Sequence, residues 1–128
     1  PVSFHVREAF DDFWPIYDLF KIRGVLHSFT DRDHHLQMGI ERGLLIGING
    51  IATFTSHEWQ KELFKKVPLE NIVVETDSPF LTPAPKRGTI NTPENVTYIT
   101  NYLAELRGEN VRHIVETTTA NARTLFGI

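Results

Sequence analysis

Four short apolar runs, Val2–His5, Val25–His27, Leu44–Ile48 and Ile72–Glu75, alternate along this chain with longer stretches whose apolar residues recur every three or four positions. Runs of that length read as strands, and spacing of that kind reads as amphipathic helix. Strands joined through helices cannot pair as hairpins. They pair in parallel through right-handed crossovers, which makes the fold α/β with four parallel strands and flanking helices. In sheets and barrels of this kind functional groups gather at the C-terminal ends of the strands. His5 and His27 close the first two runs, and Asp77 follows the fourth.

The helical stretches carry their own punctuation. Phe10, Phe13, Trp14, Tyr17 and Phe20 form one apolar face, and Asp12 as N-cap would put Pro15 at the third helical position, where its missing N–H costs nothing. Thr30 before Asp33 and Thr55 before Glu58 resemble capping boxes, while Gly43 reads as a C-terminal glycine. Thr92-Pro93-Glu94 opens a helix that buries Val96, Ile99, Leu103 and Leu106 and stops at Gly108. A last helix over 111–126 is expected to break near Thr117–Thr119. No linker or low-complexity segment interrupts residues 1–128, which read as one structural unit.

Composition narrows the chemistry. The chain has no cysteine, so any metal must be held by histidine and carboxylate. A net charge of −3 gives no overall attraction to nucleic acid, and a phosphate would have to be held by local cations or metal ions. No apolar run is long enough to span a bilayer and none resembles a signal peptide, so the expected setting is cytoplasmic, without membrane contact. The chain opens directly on a strand, from which it is expected to be a piece of something longer.

The segment "VVETDSPFLTP" over 73–83 places a carboxylate at the mouth of a proline-stiffened loop. Asp77 and Ser78 would cap a helix starting at Pro79, but Pro83 and Pro85 follow too closely for a helix to propagate. Asp77 therefore ends a strand and faces a loop. His34, His35, His57 and His113 sit on helices or beside helix starts and read as solvated or structural. His5 and His27 close apolar strands, and with Asp77 they form a nitrogen and oxygen set suited to zinc or a similar divalent ion.

The stretches "SFHVREAFDD", "GVLHSFT", "ETDSPFLTP", "KRGTINTP" and "TTANARTLFG" resemble, in order and spacing, the C-terminal half of TatD-family metal-dependent deoxyribonucleases. The resemblance covers practically the whole chain. It implies the C-terminal half of a TIM-like (β/α)8 barrel, two divalent metal ions (zinc, magnesium or manganese) and a DNA substrate, cleaved as by an exonuclease. By the same resemblance His5 and His27 would bind one metal, and Asp77 would bind the other and orient the attacking water. The H-x-H pair and the bridging glutamate of that family have no counterpart here. The expectation is a hydrolase when intact, with the isolated chain weak or inactive and associated with the N-terminal half or with itself.

Around these ligands, Arg7 shares the side of the strand with His5 and would reach a phosphate, the alternative being a surface ion pair with Glu8 or Asp11. Lys86 and Arg87 would contact substrate from the proline loop, or remain solvated there. Glu75 reads as a partner that holds Arg7 or a histidine N–H rather than as a ligand. Two other functions fit the same residues: metal-dependent hydrolysis of a small amide, ester or lactone, and a catalytically silent half-barrel that acts only through association.

Overall fold

The computed structural model describes residues 1–128. Four strands, β1 (Val2–His5), β2 (Gly24–His27), β3 (Leu45–Ile48) and β4 (Ile72–Val74), form one sheet in the order β1-β2-β3-β4, every neighbouring pair parallel. Between and after them lie α1 (Phe10–Phe20), α2 (Asp33–Glu41), α3 (Ile51–Phe54), α4 (Glu58–Lys66), α5 (Val96–Arg107) and α6 (Val111–Phe126). The sequential strand order and parallel pairing are those of half of a TIM-like barrel, with β1 and β4 as its outer strands. No helix is long and apolar enough to cross a membrane.

Alternation along the strands separates two apolar layers. Leu26, Ile46, Ile48 and Ile72 pack against Trp14, Leu36, Phe64, Ile99, Leu103 and Ile114 of the helices, all buried in one core. The opposite face carries a small cluster of Val25, Val73 and Leu125. Above that cluster, toward the strand ends, the same face turns polar with His5, His27 and Glu75. This change of chemistry along one face positions the site.

Several local expectations are corrected. α1 begins at Phe10, with Ala9 rather than Asp12 preceding it, so Pro15 lies inside the helix. Pro15 and Asp11 are both exposed, so the carbonyl left without its intrahelical donor faces water. Neither threonine caps a helix. Arg32 and His57 stand at the N-cap positions of α2 and α4, without side-chain caps. Thr55 Oγ1 instead donates to Gln60 Oε1 at 2.5 Å and accepts from the His57 N–H at 3.2 Å. α6 runs unbroken through Thr117–Thr119, where Thr118 Oγ1 donates to the Ile114 carbonyl one turn back and needs no other partner. Gly43 and Gly108 do adopt the left-handed conformation expected at helix ends.

Candidate functional site

The C-terminal rim of the sheet frames a cleft of about 790 Å³ that contains His5, Arg7, His27 and Asp77 together. Parallel pairing sets the first two histidines side by side, since His5 is the register partner of His27. Their ring centroids lie 5.6 Å apart. β4 then supplies two carboxylates from one strand end. Glu75 Oε2 lies 2.7 Å from His27 Nδ1, and Asp77 Oδ1 lies 3.3 Å from His27 Nε2. The His27 ring is thus held between two carboxylates that are two residues apart in the chain.

Glu75 reaches His27 across the intervening strand because Gly47 has no side chain. A Cβ at position 47 would sit 2.7 Å from Glu75 Oε1 and 2.9 Å from its carboxyl carbon. The second carboxylate oxygen accepts the Ser28 N–H at 2.5 Å. Ser28 takes a positive φ of 53°. Asn49 completes this wall: it is buried, and its Nδ2 donates to Ser28 Oγ at 2.7 Å. Of the two roles expected for Glu75, the histidine contact is the one formed.

Asp77 sits at φ 57°, a left-handed conformation that aspartate tolerates better than most residues. Its loop is held from below by Asn91, which is 2% exposed. Asn91 Nδ2 donates to the carbonyls of Thr76 at 2.8 Å and Phe80 at 2.6 Å, while its Oδ1 accepts from Asn95 Nδ2 at 2.9 Å. Sequence reasoning missed Asn91. Its one signal was an asparagine between apolar and proline residues in "TINTP", a position that only a tertiary contact explains.

Arg7 lines the cleft and forms no ion pair with Glu8, Asp11 or any other acid. Arg87 is placed elsewhere. Its guanidinium lies 3.9 Å over the Phe54 ring centroid and donates to the Thr82 carbonyl at 3.0 Å, so it braces the proline loop, and it is not among the residues lining the cleft. Lys86 Nζ likewise lies over the Tyr98 ring at 5.9 Å.

The donor chemistry fits a divalent ion approached from one side. A histidine whose Nδ1–H donates to a carboxylate presents the Nε2 lone pair to a metal, the arrangement that orients metal-bound imidazoles generally. His27 has that partner in Glu75, and its Nε2 faces Asp77. No three histidine or carboxylate side chains close around a point by themselves. The set could supply only part of a coordination shell.

A family model described as TatD related DNase matches residues 1–127, and the chain belongs to that family. It is 37% identical over 131 residues to an Escherichia coli protein named uncharacterized metal-dependent hydrolase YcfH, covering 100% of this chain and 49% of that one. A Citrobacter koseri protein named 3'-5' ssDNA/RNA exonuclease TatD is 38% identical over 136 residues, covering 100% of this chain and 52% of that protein. Among solved structures, the TatD homolog YJJV of Escherichia coli superimposes with a TM-score of 0.88 at 28% identity, over 100% of this chain and 50% of that one. The chain spans about half the length of the relatives it matches.

Proposed function

We propose that this chain contributes one side of a two-metal site that hydrolyses phosphodiester bonds of DNA, working from a strand end as an exonuclease. The observation that carries the reading is His27 clamped between Glu75 and Asp77 in a cleft it shares with the unpaired Arg7. His5 and His27 would hold one divalent ion, and Asp77 would hold the other. Zinc, magnesium or manganese bound there would supply Lewis acidity and a water acidic enough to ionise near neutral pH. The protein's own groups do the rest. Glu75 keeps the His27 proton on Nδ1, Arg7 binds two oxygens of the phosphate through its planar fork, and Asp77 orients the attacking water. The exonuclease name borne by the Citrobacter koseri relative supports the substrate class.

Two structural features bear on partners. The outer strands β1 and β4 have one unpaired edge each, and unpaired parallel edges favour addition of further strands. A complementary half-barrel, from a longer chain or a second copy, would supply the remaining ligands. The same edges serve a silent half-barrel that acts only through association. A second reading, hydrolysis of a small amide, ester or lactone, draws on the cleft volume of about 790 Å³, which suits a small molecule.

The decisive assay measures hydrolysis of a 5'-labelled oligonucleotide, and of a panel of small esters and lactones, with each metal in turn. In the protein assembled with its complementary half, His27→Ala and Asp77→Ala should lower DNA cleavage roughly a hundredfold or more, with the thermal melt retained. Cleavage near the parent rate with unchanged metal content would refute the assigned roles.

A further inference from the structure

Beside the cleft runs a second groove of about 510 Å³, lined by Arg32, Asp33, Trp59, Glu62, Leu63 and Lys66. The two adjoin along the chain, since Asp31 and His57 line the cleft while Arg32 and Trp59 line the groove. The His57 and Trp59 rings are nearly parallel, 29° apart in plane with centroids 6.1 Å apart, and so form an aromatic step from one space to the other. Trp59 is 50% exposed. The part of the indole left open offers a π-face on which a flat ligand can stack.

Charge in the groove is unequal in availability. Asp33 lies 3.8 Å from Lys66 Nζ, and Glu62 lies 3.2 Å from Lys65 Nζ. Both carboxylates therefore have a cation of their own. Arg32 has no ion pair, and its guanidinium forms no hydrogen bond; its backbone N–H donates to Asp31 Oδ1 and its carbonyl accepts the Leu36 N–H. A free guanidinium beside an exposed aromatic face is the pairing that recognises a nucleotide unit, one group for the phosphate and the other for the base.

We infer that this groove holds single-stranded nucleic acid running out of the cleft, with a base stacked on Trp59 and the adjoining phosphate on Arg32. The inference rests on the nuclease reading for its substrate class and extends it to a binding track outside the reacting centre. Because every base has a π-face, the track is indifferent to sequence. It requires bases, however, and so discriminates a nucleotide chain from a small ester.

The chain has two tryptophans, which makes the test direct. Trp14 is buried and donates to His35 Nδ1 at 3.1 Å, so a ligand-induced change in indole fluorescence reports Trp59. Titration with a short single-stranded oligonucleotide, in the presence of EDTA to prevent cleavage, should quench that emission. An oligonucleotide of the same length built from tetrahydrofuran abasic units, with identical phosphates, should not. Trp59→Ala should weaken binding of the normal oligonucleotide roughly five- to hundredfold, the range for one stacked base, and leave the abasic one unchanged. Trp59→Phe should restore most of the loss. Arg32→Gln should weaken both and lower the salt slope by about one ion. Equal affinity of parent and Trp59→Ala for the normal oligonucleotide, or equal quenching by the abasic one, would overturn the inference. The underlying reading fails separately. DNA cleavage sensitive to His27→Ala with a silent Trp59 leaves the nuclease and removes the groove, whereas base-dependent quenching without any cleavage by the metal-loaded protein assembled with its complementary half-barrel leaves the groove and removes the nuclease.

Discussion

Changing Glu75 to glutamine alters one oxygen to an amide nitrogen and almost nothing in volume, yet the surrounding geometry makes it a strong perturbation. One oxygen of Glu75 accepts the Ser28 N–H and the other faces His27 Nδ1. A backbone N–H can only donate, so the glutamine oxygen must stay with Ser28 and its NH2 must turn to His27. An NH2 also only donates. Nδ1 must then be bare, and the imidazole proton moves to Nε2, the nitrogen that faces Asp77. The lone pair that would meet a metal is consumed. In energy, two hydrogen bonds to a charged acceptor, about 1.5–3 kcal/mol each, become neutral bonds of about 0.5–1.5 kcal/mol. The carboxylate is 21% exposed, which screens part of the difference, so the net loss of stability should be about 1–2 kcal/mol. Metal affinity should fall roughly ten- to hundredfold. Long-range proton–nitrogen spectra of the nitrogen-15-labelled histidines read the tautomer directly, urea unfolding gives the stability, and zinc titration calorimetry gives the affinity. A parent protein with the His27 proton on Nε2, or a variant that keeps it on Nδ1, would refute the reasoning.

Three further outcomes are expected. Gly50→Ala drives a Cβ into the Leu81 carbonyl, a backbone atom that cannot swing aside; the loss should be about 3 kcal/mol by thermal unfolding, and a neutral result would mean that the loop bearing Asp77 is not seated on α3. Asn91→Ala removes two donated bonds and one accepted bond at a buried position, costing about 2–4 kcal/mol, and hydrogen exchange at 76–82 should accelerate more than elsewhere. Asp18 is held below the ordinary carboxylate range, first by its side-chain hydrogen bonds to Arg42. Its depressed folded pKa means that the stabilisation is full above the unfolded value and is lost as pH falls through the folded one. Asp18→Asn should therefore differ from the parent at neutral pH and converge with it in acid, as followed by unfolding midpoints across the acidic range.

Much of this could be read from the residues because the governing interactions are local or periodic. The β1 bounds and those of α6 coincide with the expected ones, and the other strands differ by one residue at an end. Where tertiary contacts compete, the reading fails. Thr55 is a plausible cap in isolation, but Gln60, which also donates to the Thr30 carbonyl, takes its hydroxyl away. Pro15 was placed by the rule that helices avoid interior proline, and exposure relaxes that rule. His5, His27, Arg7 and Asp77 were expected at or beside strand ends, and they line one cleft because parallel topology converts chain order into a common rim. The stacking of Arg87 on Phe54 was not legible, because loop charges carry no direction in a sequence and that ring lies 33 positions away by the numbering. The choice of His27 over Arg7 as the partner of Glu75 depends on a strand that neither residue belongs to.

That strand gives the site a second office. Gly47 is the gap through which Glu75 passes from β4 to β2, and its neighbours along β3 are Ile46 and Ile48. Slipping β3 by one residue would bring an isoleucine into the gap and turn its inward and outward faces over. The carboxylate could not then reach the ring. Assembly of the His27 clamp and correct threading of the sheet are consequently one event, and a molecule able to bind metal at His27 has already passed inspection of its strand alignment.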